Sequence, residues 1–166
     1  VDAVSGYVNT VWFSLRKIYP NPGEKVNVLR YSDFGLDLYS NAIIVSKEFI
    51  EKQPKAVEGF LRAFARGFQD VLKDPGMGVD AALKRQPLLD RTIELENLVA
   101  TVNVEMLSAE SKRIGIGDVD DGHLKKGIGI VVDAYGLKRT PAPGDVFTRQ
   151  FLPARELRNI HEIKVP

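Results

Sequence analysis

The chain has 166 residues, of which 44% are hydrophobic and 27% are charged, a composition typical of globular proteins. Its 23 basic and 22 acidic residues nearly cancel, so the charge gives no sign of a nucleic-acid-binding or membrane-surface protein. The absence of cysteine excludes disulfides, thiol catalysis and thiolate metal sites, and no apolar run approaches the roughly 18 residues that a membrane helix needs.

The first 46 residues are predicted to contain most of the extended structure. Apolar alternation and β-branched residues predict three strands: Val1–Ser5, Lys25–Tyr31 and Asn41–Ser46. Between the first two strands, Asn9 is predicted to cap a short helix over Thr10–Tyr19. The third strand contains the continuous apolar run Ala42–Val45, which is typical of a strand covered on both faces in an α/β sheet.

Beyond residue 46 the chain is predicted to be rich in helices. Apolar spacing and capping residues predict them from Ser46 to Lys52, from Pro54 to Asp74, over Val79–Arg85, from Asp90 to Met106, over Ser108–Arg113, from Asp120 to Gly136 and from Asp145 to Gln150. Three strands are few for an α/β sheet, and the chain begins abruptly with a strand. Both features predict that it is the C-terminal portion of a longer polypeptide.

Three motifs of the sequence do not predict a site. The triplet at 33–35 spells the magnesium-binding motif of protein kinases, but the other kinase motifs are missing, so a turn with Gly35 at positive φ is predicted. The glycines and acids of 115–122 miss the calcium-loop spacing and predict a helix end followed by an aspartate cap. His123 and His161 have no partner at metal-ligand spacing and are predicted to be solvated. No metal site and no catalytic residue is therefore predicted.

Two groups of residues are candidates for ligand binding. Gly6, Tyr7 and Asn9 follow the first predicted strand, where α/β sheets bind ligands, and they offer close backbone approach, a stacking face and an amide. The alternative interpretation is a plain strand-to-helix connection with Asn9 as its cap.

Asp37, Tyr39 and Asn41 form the second group. They occupy every second position, so they share one face of an extended chain. The alternative interpretation is the solvent face of an edge strand.

The segments that carry these residues resemble a known family. VDAVSGYVNT, VLRYSDFGLDLYSNAIIVSKEFIEKQPKAVEGFLRAFARGFQDVLKDP and, more weakly, DAYGL and DVFTRQFLP are similar to the C-terminal half of periplasmic substrate-binding proteins of ABC importers, of the sulfonate/nitrate/thiamine-pyrimidine type. The run YSDFGLDLY is similar to the signature of members that bind thiamine-precursor pyrimidines or related aromatic heterocycles. The resemblance covers residues 1–153 and is most specific in the first 75.

The resemblance implies an α/β fold of the type II periplasmic-binding-protein kind, with two lobes joined by crossing strands and the ligand in the cleft between them. Residues 1–37 would end the second lobe, residues 38–153 would form the hinge strand and the C-terminal part of the first lobe, and residues 154–166 would be a tail. Gly6, Tyr7 and Asn9 would face the cleft, with Asp37, Tyr39 and Asn41 close to the hinge.

The implied function is that of an exported, extracytoplasmic solute-binding protein without a cofactor, whose partners are a small-molecule ligand and an ABC permease. Pyrimidine-binding relatives carry an acid shortly after the asparagine, whereas Thr10, Val11 and Trp12 follow Asn9 here, which favours an unidentified aromatic or small polar ligand. A related pyrimidine synthase of thiamine biosynthesis carries a cysteine-rich run that this chain lacks, so no enzyme is predicted. A synthase-type enzyme, a sensory module of the same fold and a piece that binds nothing alone stay open as alternatives.

Overall fold

The structure is a computed structural model and describes residues 3–16 and 26–165. Among these residues the helices are α1 (Val8–Arg16), α2 (Lys47–Lys52), α3 (Pro54–Lys73), α4 (Pro75–Arg85), α5 (Arg91–Ala100), α6 (Ala109–Ile114), α7 (Asp121–Tyr135) and α8 (Pro143–Val146). A π-helical turn (Thr101–Met106) continues α5, and short 3-10 turns are formed by Tyr31–Phe34 and Arg155–Arg158. The prediction of a helix-rich chain beyond residue 46 is confirmed.

Local side-chain chemistry sets several helix boundaries. The Ser46 hydroxyl accepts a hydrogen bond from the Phe49 N–H at 3.1 Å and begins α2, as predicted. Asp90 and Asp120 cap α5 and α7 by accepting backbone N–H groups of the first turn, again as predicted. Gly136 ends α7 with φ +58°, a left-handed conformation that glycine adopts without a steric penalty.

Helix α4 begins earlier than predicted. Residues 74–76 were expected to separate two helices, but Asp74 accepts the N–H of Met77 at 3.0 Å and Pro75 takes the first helical position. Proline is favoured there because its missing N–H would have no partner inside the helix. The same three residues therefore end α3 and begin α4.

The three predicted strands are not confirmed. Residues 3–5, 26–30 and 41–46 form no strand in the described part of the chain, while residues 1, 2 and 25 of these predictions lie outside it. The backbone of Arg30 and Ser46 is extended, with ψ values of 133° and 147°, but a strand also needs a paired neighbour to satisfy its N–H and C=O groups. The two-lobe architecture with crossing strands is not confirmed either.

The apolar run Ala42–Val45 was predicted to lie in a covered sheet. This prediction is wrong, because the run is largely exposed. Ile44 is 91% exposed and Ile43 is 47% exposed. No strand among the described residues pairs with this run, so no sheet covers it. The sequence pattern is that of a buried strand, but the burial depends on a partner element.

The described residues form two compact units. The first is made of Val1–Leu29, Asp70–Ser108 and His161–Pro166, as far as these are described, and its buried residues include Leu72, Val79, Leu95, Val102 and Ile163. Val102 in the π-helical turn is completely buried. The Asn103 side chain donates to the Ile163 carbonyl at 2.7 Å and accepts the Ile163 N–H at 2.9 Å, which ties the closing residues to this unit.

The second unit is made of Arg30–Gln69 and Ala109–Ile160. Its buried residues include Val57, Ala65, Ile128, Phe151, Arg158 and Ile160. The buried guanidinium of Arg158 donates to the carbonyl oxygens of Pro153 and Ile114, both at 3.0 Å, and lies 3.5 Å from Asp118. Part of the predicted tail is therefore packed, while the predicted boundaries at residues 37 and 153 stay predictions.

Candidate functional site

The segment Asp37–Tyr39 of the second unit lies along the first half of α7. At Gly127 a Cβ atom would come within 3.2 Å of the Leu38 Cδ2, so the missing side chain gives Leu38 its place against the helix. The following residue, Tyr39, reaches the N-terminal end of the same helix, where its hydroxyl accepts the Asp120 N–H at 2.8 Å. These contacts place Asp37 and Tyr39 beside the first turn of α7.

The hydroxyl of Tyr39 is used twice. It donates to the Glu110 carboxylate of α6 while it accepts the Asp120 N–H. Its ring lies against the His123 ring, with centroids 4.4 Å apart and planes tilted by 38°. What remains of Tyr39 for another molecule is ring surface, since 38% of the residue is exposed.

His123 lies between two acidic residues and is not the solvated side chain that its position predicts. Its Nδ1 is 3.2 Å from Glu110 Oε2, and its Nε2 is 3.2 Å from the Asp37 carbonyl oxygen and 3.6 Å from the Asp37 carboxylate. Only 22% of the side chain is exposed. Both ring nitrogens therefore face oxygen atoms. While the carboxylates are ionised, these oxygens act as acceptors and cannot donate a hydrogen bond.

Two pKa values respond to this arrangement. Burial lowers the pKa of His123, but the hydrogen bonds to Asp37 and Glu110 and the charges of both carboxylates outweigh burial and leave the pKa raised. Burial and the hydrogen bond to Glu110 raise the pKa of Tyr39 to about 12. The cluster thus favours a protonated imidazole and a protonated phenol.

Arginines surround the loop that leads into α7. Arg149 donates to Asp118 at 2.7 Å and to Asp121 at 2.8 Å, and Arg113 donates to Asp120 at 2.8 Å. The backbone N–H of His123 and the Arg113 guanidinium both donate hydrogen bonds to Asp120 and lower the pKa of its carboxyl group. The acids of this loop are paired with cations and backbone N–H groups, as expected for a helix cap, and the predicted cap at Asp120 is confirmed.

The first candidate group lies in the first unit. A Cβ atom at Gly6 would come within 2.3 Å of Val11 Cγ2, so only glycine fits there without a rearrangement. Tyr7 is 55% exposed, and its carbonyl accepts the N–H of Val11 at 2.9 Å, so α1 starts at Val8, two residues earlier than predicted. Asn9 consequently lies inside α1 and does not cap it.

The π-helical turn holds Asn9 from the side. The Asn9 N–H donates to Glu105 Oε1 at 3.0 Å, and its side-chain amide donates to the Thr101 hydroxyl at 3.3 Å. The Asn9 Oδ1 is buried, so the amide points inward while Tyr7 next to it is exposed. π-Helical turns are rare and are often found at functional sites.

Sequence reasoning named Asp37 and Tyr39 but missed their partners Glu110 and His123. Asn41, which was named with them, is exposed two residues beyond Tyr39. Glu105, the partner of Asn9, was also missed. The partners follow 71 to 96 residues later in the chain, and the one available signal was a histidine three residues after an aspartate cap. The ligand-binding role of all six predicted residues stays a prediction.

Comparisons with known proteins bear on the predicted resemblance. Residues 1–77 match a protein-family model described as NMT1/THI5 like. The chain is 32% identical over 136 residues to the riboflavin-binding protein RibY of Chloroflexus aurantiacus, and the match covers 79% of this chain and 38% of that protein. The chain therefore spans well under half the length of this curated relative. No solved structure matches the chain significantly.

Both matches confirm the resemblance to substrate-binding proteins of this family, whose fold is of the periplasmic-binding-protein type. The name of the relative is that of a binding protein. In the described part of the chain, no helix combines the length and the apolar character needed to cross a membrane.

Proposed function

We propose that the chain is part of an extracytoplasmic solute-binding protein that delivers a small aromatic heterocycle to an ABC import system. The observation that carries the proposal is the match of 136 residues to a protein named for riboflavin binding, together with the match of residues 1–77 to the family model. Export and the permease partner follow from the same resemblance and belong to the proposal.

The segment at residues 37–41 supplies the chemistry that such a ligand needs. We call Asp37, Tyr39 and Asn41 the ligand face. Tyr39 offers an exposed ring edge and face for stacking, and the Asp37 side chain, 61% exposed, offers a carboxylate acceptor for ring N–H or amino groups. Asn41 offers both a donor and an acceptor. Small-molecule sites typically combine an aromatic or apolar surface with a small number of well-placed polar groups.

Gly6 and Tyr7 support the proposal separately. The missing side chain of Gly6 leaves room for the Val11 side chain, and the exposed ring of Tyr7 offers an aromatic surface for stacking. Asn9 contributes less, because its amide is already engaged with the π-helical turn. The predicted interlobe cleft stays a part of the proposal.

A riboflavin titration of the purified 166-residue chain tests the proposal, with flavin fluorescence as the signal. We expect saturable binding, and we expect Asp37→Asn to weaken it about tenfold or more, since hydrogen bonds to charged groups contribute roughly 1.5–3 kcal/mol. An aminopyrimidine measured by calorimetry serves as the second probe. If neither probe binds at millimolar concentration, the proposal is overturned.

The matched control is Asp133→Asn, which removes the same charge from an exposed position of α7. Binding weakened equally by both variants would show a general effect of charge and would count against the ligand face. Each probe is also recovered and analysed after incubation. Chemical conversion of a probe would favour the synthase-type alternative over a binding protein.

A further inference from the structure

His123 makes two contacts that a neutral imidazole cannot make at once while Glu110 is ionised. Glu110 and the Asp37 carbonyl face its two ring nitrogens, both at 3.2 Å. A neutral ring carries one N–H, so one of its nitrogens would face an oxygen lone pair with its own lone pair. The imidazolium carries two N–H groups and satisfies both oxygens.

The number of protons in the bridge is the same whether the extra proton lies on His123 or on Glu110. The Tyr39 hydroxyl proton is already donated to Glu110 Oε1, and the Tyr39 oxygen receives the Asp120 N–H. A proton placed on Glu110 Oε2 would leave a neutral His123 that donates only to Asp37. In either form the bridge holds one proton more than a neutral imidazole beside an ionised carboxylate.

We propose that His123 and Glu110 form a proton-dependent latch that positions the ligand face: while the bridge is protonated it holds the Asp37–Tyr39 segment against the first turn of α7, and loss of the proton releases the segment. The groups that face His123 are Glu110 from α6, Asp37 and Tyr39 from the segment, and Asp120 at the start of α7, itself paired with Arg113. Only the ligand readout of the inference rests on the proposed function.

The direction of the pH effect follows from the raised pKa of His123. A group whose pKa is raised in the latched state stabilises that state fully below its ordinary value of 6.5, and the stabilisation is lost as the pH rises through the raised value. Each unit by which the pKa exceeds 6.5 changes the latch equilibrium about tenfold. The latch is therefore most stable below pH 6.5 and weakens as the pH rises through the raised pKa of His123.

An NMR pH titration without ligand tests the latch directly. The chain contains two histidines, so His123→Gln and His161→Gln assign the two imidazole signals, and exposed His161 is the matched control. We expect the His123 signal to titrate above pH 6.5. We expect hydrogen-exchange protection of the Asp120 N–H, corrected for the intrinsic rate, to fall over the same pH range. His161→Gln should leave both transitions unchanged.

Two further variants separate the latch from a purely structural role. Glu110→Gln should lower the His123 midpoint and shift the loss of Asp120 protection to the same lower pH. Asp37→Asn should lower the His123 midpoint less, because the backbone carbonyl of residue 37, which accepts the hydrogen bond from Nε2, remains. A His123 midpoint at or below 6.5, or Asp120 protection that does not change with pH, would overturn the inference even if a variant proved unstable.

The ligand experiment is kept separate. Riboflavin affinity should decline as His123 loses its proton, and His123→Gln should remove this pH dependence. A pH transition at Asp120 without binding of either riboflavin or the aminopyrimidine supports the latch and refutes the proposed function. Riboflavin binding of constant affinity across the His123 titration refutes the positioning role and supports the proposed function.

Discussion

Replacing Tyr39 with phenylalanine removes a hydroxyl and keeps the ring that lies 4.4 Å from His123. The hydroxyl makes two hydrogen bonds, one donated to the ionised Glu110 and one accepted from the Asp120 N–H at 2.8 Å. The substitution removes both hydrogen bonds while the contact between Glu110 and His123 and the aromatic packing stay in place. It therefore measures what the hydroxyl contributes to holding the segment on α7.

The magnitude follows from the exposure of the groups. A hydrogen bond to a charged group contributes roughly 1.5–3 kcal/mol and one between neutral groups roughly 0.5–1.5 kcal/mol. Tyr39 is 38% exposed and the Glu110 side chain 26% exposed, so water replaces part of the loss. We expect Tyr39→Phe to lower the free energy of unfolding by about 1–2 kcal/mol, which is well below the sum of the two bonds.

Urea unfolding followed by circular dichroism measures this difference. The midpoint should decrease while the slope stays constant, because the surface exposed on unfolding hardly changes. Tyr135→Phe is the control, since Tyr135 is the last residue of α7, against which Tyr39 packs, and is 78% exposed. The reasoning would be refuted if the two variants were equally stable, or if Tyr39→Phe were as stable as the parent chain.

Three other expected outcomes need one measurement each. In an alkaline absorbance titration one of the five tyrosines should ionise near pH 12. The free energy of unfolding should decline as the pH rises from the ordinary tyrosine pKa of 10 through this range. Tyr39→Phe should remove the absorbance step near pH 12, and persistence of the step would contradict its assignment to Tyr39. Val102→Ala should cost about 2–3 kcal/mol in urea unfolding because Val102 is fully buried, whereas Val104→Ala, at a position 48% exposed, should cost below about 1 kcal/mol; equal costs would contradict the packing. Gly115→Ala should lower the melting temperature more than Gly117→Ala, since both glycines have positive φ but only at Gly115 would the new methyl group lie 2.9 Å from a backbone carbonyl; a reversed order would contradict that close approach.

The sequence was sufficient for those parts of the fold that local chemistry decides. Ser46, Asp90 and Asp120 begin helices because their side-chain oxygens satisfy N–H groups two or three residues away. Gly136 ends α7 for an equally local reason, its positive φ. Such features depend on a few neighbouring residues, and these can be read from the sequence without knowledge of the fold.

Strands could not be predicted in the same way, because a strand is completed by a partner elsewhere. The residues Ala42–Val45 have the composition of a covered strand, yet Ile44 is 91% exposed. Apolar composition indicates that a segment gains free energy when it is covered, but it does not supply the covering element. The start of α1 was misplaced for a similar reason, since Asn9 finds its partner in Glu105, far along the chain.

The candidate site was predicted in part. The two-residue period grouped Asp37 with Tyr39, and the structure shows that both contact His123, while their ligand-binding role stays a prediction. It could not identify His123 or Glu110, because the contacts join residues 71 and 86 positions apart. His123 was considered only as a metal ligand or a solvated side chain, and the carboxylate that pairs with it lies on a different helix.

The π-helical turn at Thr101–Met106 makes the first unit sensitive to the exact number of residues in this stretch. The Leu107 N–H bonds to the Val102 carbonyl five residues earlier, at 2.9 Å, so the turn contains one residue more than an α-helical turn. Deleting a single residue between Thr101 and Glu105 would let this stretch wind as a regular α-helix and would change the spacing of Thr101 and Glu105, both of which hold Asn9. In homologues, a gap of one position here should therefore occur together with a different residue at the position of Asn9, although deletions in helices are usually explained by length alone.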